Sequence, residues 1–240
     1  MTAETPLPRA RYGMILPSSN RMAEIHANRF TPPGIAPYAT RLRMTGSHFM
    51  PLDELLPKVA EASELLADAK CDPVVFHCTA NSMASGMDGE KRITDAIAEA
   101  TGVQATTTAA ATMAALEALD ARRIVLVSPY VRKTHEHELN FMAEAGIEVV
   151  GERNLGLNGS DAYCSTPPAK WIEVLRDLKN DRADAYFASC ANITAIDAID
   201  EMEEMLGKPV LTRNQVVIWQ ALRMAGIGDA LLGLGRLGKI

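Results

Sequence analysis

The chain repeats itself at long range. A proline ends a short apolar run at Pro17 and again at Pro129, 112 residues later, and a cysteine ends another at Cys78 and again at Cys190, at the same spacing. Arg11 with Arg123 and Glu24 with Glu136 keep that offset; past the cysteines it shrinks to 105, pairing Gly102 with Gly207. One α/β unit made twice produces such a pattern. It resolves a length of 240 residues, which lies between one domain and two, into an N-terminal half over 1–118 and a C-terminal half over 119–212, with the tail 213–240 expected to pack back on the first half.

Within each copy, short apolar runs alternate with segments of helical periodicity. Strands are expected at 12–16, 38–44, 73–77, 103–106, 123–127, 147–150, 183–189 and 210–211. Helices are expected at 22–30, 52–69 (Pro57 in its first turn), 88–100, 108–119, 131–145, 168–179, 193–206 and 214–225. The fold class is α/β: two pseudo-symmetric, Rossmann-like (flavodoxin-like) halves, each a parallel sheet with helices on both faces. Ligands of such sheets bind beyond the carboxyl ends of the strands, so the active site is expected in the cleft between the halves, with Cys78 and Cys190 on opposite walls.

Taken alone, a cysteine at a strand end is a small buried hydrophobe. Two at matched points of a diverged repeat favour function. Both precede small or polar residues that suit a helix N-terminus, Thr79-Ala80-Asn81-Ser82 and Ala191-Asn192-Ile193-Thr194. Free N–H groups and the positive end of a helix dipole there lower a thiol's pKa and favour a bound carboxylate. Cys71 and Cys164 have no counterparts and are read as structural or incidental. With no C-x-x-C the cysteines form neither a disulfide framework nor a zinc ribbon, and no metal-ligand cluster is apparent.

Other features narrow the partners. The net charge is −6 with Lys and Arg scattered, so no basic stripe marks a nucleic-acid binder. Apolar runs fall far short of the ~20 residues that span a bilayer, and residues 1–11 carry Glu4, Arg9 and Arg11 with no apolar stretch of a signal peptide after them. A cytoplasmic protein is expected. Ala- and Met-rich helices make a homo-oligomer an open expectation. Gly233-Leu-Gly-Arg-Leu-Gly238 matches a dinucleotide fingerprint but has no helix after it. His77, next to Cys78 on a strand, should point to the opposite face and pack; His135 and His137, with Glu136 and Glu138, read as a solvated helix face, and His26 has no evident partner.

Four segments carry a resemblance across the whole chain: Pro17-Ser-Ser-Asn20 with Glu24; Phe76-His-Cys78-Thr-Ala-Asn-Ser82; Ser128-Pro-Tyr130 with Leu155-Gly-Leu-Asn158; and Ala188-Ser-Cys190-Ala-Asn192. In order and register they resemble the aspartate/glutamate racemase superfamily, nearest its maleate cis-trans isomerase and arylmalonate decarboxylase branch. The resemblance implies that Cys78 is a nucleophile and Cys190 an acid/base. It implies that Asn20, Tyr130 and Asn158 hold substrate carboxylates, aided by the segments Thr79, Ala80, Asn81 and Ala191, Asn192. No cofactor is implied, and the substrate is a small dicarboxylate such as maleate, converted to fumarate by thiolate addition, bond rotation and elimination. Two departures bear on the alternatives: Cys78-Thr-Ala-Asn81 stands where many amino-acid racemases carry Cys-Asn-Thr, and the decarboxylase branch lacks the first cysteine. A two-cysteine amino-acid or hydantoin-type racemase, an arylmalonate-type decarboxylase, and a two-lobed binding protein with incidental thiols are the competing readings. Asn20 also suits a turn or cap, and Tyr130 a packed loop.

Overall fold

A computed structural model describes residues 7–44 and 50–240; the expectation for the extreme N-terminus rests partly on residues 1–6, outside that range. The first half runs β1 (Ala10–Pro17), α1 (Ala23–Phe30), β2 (Ile35–Leu42), α2 (Leu52–Asp68), β3 (Val74–Phe76), α3 (Thr79–Met83), α4 (Gly86–Thr101), β4 (Ala105–Thr107), α5 (Thr108–Ala118). The second runs β5 (Arg123–Ser128), α6 (Arg132–Glu144), β6 (Glu148–Asn154), α7 (Ser160–Ser165), α8 (Pro168–Asp177), β7 (Ala185–Ala188), a 3₁₀ turn (Ala195–Ala198), α9 (Ile199–Leu206), β8 (Val210–Thr212), α10 (Arg213–Met224). The strands form two four-stranded parallel sheets of the same order, β2-β1-β3-β4 and β6-β5-β7-β8.

The repeat is kept to the residue. Gly13 pairs with Val74 in the first sheet, and Val125 with Tyr186, each 112 further on, in the second. Val74 pairs with Ala105, and Tyr186 with Val210, which carries the offset of 105. The helix ends repeat as well. Gly102 and Gly207 close α4 and α9 in the left-handed conformation, both at φ 69°, a backbone state that glycine adopts without a Cβ penalty. Thr107 caps α5 by accepting from Ala110 N, and Thr212 caps α10 by accepting from Gln215 N, there completing a capping box; each cap contributes about 1 kcal/mol.

Alternation along the buried strands sends side chains into separate cores on the two faces of the first sheet. Ile15, Val74 and Phe76 join Leu55, Val59, Ile93 and Ile97 of α2 and α4. Met14, Leu16 and Val75 join a larger cluster that runs on into the second half. Gly13 lets α2 close on β1, since a Cβ there would meet Leu66 Cδ1 at 2.8 Å.

Three expectations change. Pro57 stands in the second turn of α2, not the first. Residues 193–206 are not one helix: a 3₁₀ turn precedes α9, and a short helix, α7, occupies part of the 156–168 loop. The alanine-rich α5 packs on α10 of the same chain. Helix α10 also reaches α1 and β3. Among the described residues no helix is long and apolar enough to cross a membrane.

Candidate active site

The loops leaving β1, β3, β5 and β7 carry Asn20, Cys78, Tyr130 and Cys190, all at the carboxyl ends of their strands. They meet at one cavity between the halves, with about 510 Å³ of empty space including its open mouth. Its lining takes Asn20, Cys78, Thr79 and Ala80 from the first half and Tyr130, Cys190, Ala191 and Asn192 from the second. Both cysteines are free thiols and buried. No lysine or arginine is among the described lining residues, so an anion there would meet neutral donors. Asn158 is exposed and outside the lining. Asn81 is also outside it; its amide donates to Met50 O at 2.9 Å and its Oδ1 lies 3.9 Å from Cys78 Sγ.

The two sulfurs sit in different settings. Cys78 is extended (φ −139°, ψ 107°) and α3 begins directly after it. The backbone N–H groups of Ala80 and Asn81 are its anion-stabilising partners, but burial outweighs them and pushes the thiol up to about 11. Cys190 is held at φ 121°, a region that costs a non-glycine residue of order 1–3 kcal/mol and clusters at functional sites. Burial pushes its thiol up to about 12, against a hydrogen bond from the Tyr130 hydroxyl and one from Asn192 N, the latter at 3.3 Å. The expected lowering of both thiols by helix N-termini is thus overturned: desolvation disfavours the charged form more than local donors favour it, and no helix begins at Cys190. Tyr130, itself buried beside Cys190 and Glu138, is raised well above the ordinary phenol value and so remains a donor at neutral pH.

Asn20 ties the halves together. Its Oδ1 accepts from Met22 N (3.0 Å) and Ala23 N (2.9 Å) at the start of α1, while its Nδ2 donates to Ala191 O at 3.1 Å. It is both a cap and a wall of the cavity. Asn192 Oδ1 answers by accepting from Arg21 N at 2.9 Å and Cys164 Sγ at 3.1 Å, which places Cys164 nearer the site than its lack of a counterpart indicated. Arg41 donates to Asn20 O at 2.7 Å and steadies the opening loop.

Behind the cysteines the repeat places equivalent residues in unlike chemistry. His77, before Cys78, lies within 3.0 Å of Thr108 Oγ1, the first residue of α5, and 2.7 Å of Asn214 Oδ1. It is a satisfied buried residue, although it also borders the cavity. Burial lowers it to about 4. Asn214 Nδ2 is 2.6 Å from His26 Nδ1, giving His26 a partner that local sequence could not indicate. Ser189, before Cys190, accepts from Arg213 Nε at 3.1 Å; Arg213 is the first residue of α10. Arg213 is fully buried, lies over Phe187 at 4.3 Å, pairs with Glu138 at 2.7 Å, and donates to Thr112 Oγ1 at 2.6 Å. Ser189 donates to the same Glu138 oxygen.

Glu138 is therefore buried, not solvated, and so is His135, which lies 2.7 Å from Ser128 Oγ and 3.0 Å from Glu152 Oε2. Periodicity scores both as polar and cannot see partners from other elements. Cavity residues that sequence reasoning missed are Ser19, Thr134, Ser160 and Tyr163, the last three on α6 and α7. The 233–238 glycine segment follows a loop rather than a strand. Among the described residues no group of three or more His, Cys, Asp or Glu side chains is placed to hold a metal.

A duplicated parallel α/β chain with one cysteine from each half on a shared cavity defines an enzyme of the Asp/Glu racemase superfamily. The arylmalonate decarboxylase family model matches residues 12–238. The chain belongs to this arylmalonate decarboxylase / maleate isomerase family. It is 31% identical to an arylmalonate decarboxylase from Bordetella bronchiseptica over 188 residues (77% of this chain, 78% of that one). It is 26% identical to a maleate isomerase from Geobacillus stearothermophilus over 249 residues (95% and 96%). The fold superposes on the maleate isomerase Iso from Pseudomonas putida S16 with TM-score 0.88 at 22% identity (96% and 98% covered). It superposes on a glycine-to-cysteine mutant of arylmalonate decarboxylase with TM-score 0.87 at 29% identity (96% and 100%).

Proposed function

We propose that the protein is a cofactor-independent cis-trans isomerase that converts maleate, or a close cis-dicarboxylate, to the trans isomer. The observation that carries this reading is Cys78, a second buried thiol on the wall facing Cys190. One arylmalonate decarboxylase structure carries a glycine-to-cysteine mutation and another combines it with the loss of a natural cysteine to serine, and a maleate cis-trans isomerase from Nocardia farcinica has been captured, as a cysteine-to-serine mutant, with a covalently bound succinylcysteine intermediate.

Rotation about a double bond requires that it first become single. The Cys78 thiol, raised less than that of Cys190, is the one that gives up a proton when the pair loses one. Its sulfur adds to one alkene carbon, the π electrons shift to the other carbon, and Cys190 gives that carbon its proton. The charge now rests on the Cys190 sulfur, where the Tyr130 hydroxyl and Asn192 N–H stabilise it. The succinyl adduct turns about its new single bond. Cys190 takes a proton back, the double bond re-forms, and Cys78 leaves as thiolate. Donors fixed before the charge moves cost no reorganisation during the reaction. In this reading Asn20, Thr79, Tyr130 and the backbone at Ala80, Ala191 and Asn192 receive the carboxylates; Asn158 and Asn81 would have to act from outside the present lining.

A second reading, decarboxylation of a disubstituted malonate, is favoured by the Bordetella relative. It needs one proton donor, Cys190, and leaves Cys78 idle. Proton NMR on the purified protein in heavy water, with maleate, phenylmalonate, aspartate and glutamate in turn, separates the readings. Fumarate is expected from maleate, lost to below detection in Cys78→Ala and reduced by about 10²–10⁴ in Cys190→Ala. Phenylacetate formation that survives Cys78→Ala, with no fumarate, would establish the decarboxylase; deuterium at the α-carbon of an amino acid would establish a racemase.

A further inference from the structure

Among the described residues, five buried polar side-chain atoms have no protein partner, and two of them belong to residues lining the cavity: Thr79 Oγ1 and Tyr163 Oη. Three of the other polar side chains of the lining are already engaged. The Asn20 oxygen caps α1 and its amide holds Ala191. The Asn192 oxygen takes Arg21 N and Cys164, and the Tyr130 hydroxyl bonds Cys190. A buried hydroxyl left without a partner is costly, so an unpaired one beside a cavity points to a ligand that supplies an acceptor.

Tyr163 is 5% exposed and rises from α7 in the second half. Its ring packs edge-on against Tyr130, with centroids 5.5 Å apart at 84°, which fixes it next to the residue that bonds Cys190. Burial raises the Tyr163 phenol and charge on the Cys190 sulfur adds to the rise, so the two are electrostatic neighbours; the backbone N–H of Gly159 approaches the phenol oxygen and opposes the rise, but leaves the hydroxyl's own proton without an acceptor. Thr79 directly follows Cys78. The two unpaired hydroxyls therefore stand one on each wall, each beside one cysteine, in a cavity whose described lining holds no lysine or arginine.

We propose that the Tyr163 hydroxyl is a substrate donor, holding the carboxylate at the Cys190 end of the dicarboxylate. This rests on the dicarboxylate reading above. A carboxylate there accepts the phenol proton in a hydrogen bond both before and after the double bond turns, so Tyr163 contributes to binding rather than to the bond-making step.

Tyr163→Phe keeps the ring and its contact with Tyr130 and removes only the oxygen. The variant is expected to raise KM for maleate, and the inhibition constant of succinate, by roughly ten- to a hundredfold, with kcat altered less than about threefold. Iodoacetamide modification of Cys190 in the unliganded protein is expected to be unchanged. Unchanged KM and succinate inhibition would overturn the assignment. So would a fall in kcat with unchanged succinate inhibition and altered Cys190 reactivity, which would place Tyr163 behind Tyr130 rather than on the substrate. Wild-type protein that neither turns over maleate nor binds succinate would overturn the dicarboxylate reading itself, and this assignment with it; wild type that does both, beside an unchanged variant, would overturn only the role of Tyr163.

Discussion

The reactivity of the unliganded thiols should climb steeply with pH and show no plateau in the neutral range. Burial pushes Cys78 from an ordinary 9.0 to about 11. At pH 7 the thiolate fraction is then about one in ten thousand, against about one in a hundred for an unperturbed thiol, and it grows about tenfold per pH unit. Between pH 7 and pH 9 the rate of Cys78 alkylation by iodoacetamide should rise about a hundredfold, with Cys190 slower throughout because it is pushed further, to about 12. Mass spectrometry of digests reads each site separately, and a Cys71→Ser, Cys164→Ser background, expected to keep activity, removes the other two thiols. The range stops at pH 9 for a reason of sign. Both thiols have folded values above their unfolded ones, so the folded state holds more protons. The stability they contribute is complete below 9 and is lost as pH rises through 11–12. A plateau at or below pH 8 would refute the reasoning, since it would mean that local donors, not desolvation, govern these sulfurs.

Three other perturbations test neighbouring parts of the structure. Arg213→Met leaves Glu138 buried without its cation and should cost about 3–5 kcal/mol in urea unfolding; adding Glu138→Gln should recover part of the loss, and strict additivity would show that the pair is not coupled. His26 and His77 are both lowered to about 4 by burial, below the ordinary 6.5, so the unfolded chain binds more protons between those values; unfolding free energy should fall as pH drops from about 6.5 to about 4, by up to about 3 kcal/mol per histidine, and His77→Gln should flatten that slope. Tyr130→Phe removes the phenol that donates to Cys190 and should lower kcat by about 10²–10³ while slowing alkylation of Cys190, whereas an unchanged kcat would remove Tyr130 from the chemistry.

The architecture was legible because the residues that set it act locally. Pro17 and Pro129 end strands, Gly102 and Gly207 end helices at the same φ, and the two offsets read from the sequence reappear as sheet register. Helix α7 was missed because six residues are too few for periodicity to register, and the 3₁₀ turn at Ala195–Ala198 was absorbed into α9 because its apolar residues continue the helical spacing. The two cysteines were legible for the same reason as the register. Their protonation was not: a motif shows the donors next in sequence but not the desolvation imposed by elements from both halves. Glu138 shows the limit most plainly. It lies on a helix rich in charge, and Arg213, 75 residues away, with Ser189 beside it, makes its burial tolerable.

The duplication supplies symmetry that the proposed addition–elimination could not use unchanged, because a nucleophile and a proton donor need different surroundings. The chain breaks the symmetry in the layer just behind the sulfurs. Thr108 with His77 in the first half becomes Arg213 with Ser189 in the second, at the same offset of 105 from helix to helix. On the Cys78 side the neighbours are a histidine lowered far enough to stay neutral at pH 7 and backbone N–H groups, which favour a thiolate without offering an acidic proton. On the Cys190 side burial, aided by the negative Glu138, keeps the sulfur protonated against the Tyr130 hydroxyl and Asn192 N–H until the proposed carbanion calls for the proton. Arg213 neutralises Glu138 but does not line the cavity, so the charge that would move on the proposed route would meet hydrogen-bond donors rather than a fixed cation. A guanidinium in the cavity would hold the dicarboxylate more tightly in both ground states; leaving it one layer back keeps the cavity responsive to where the charge travels.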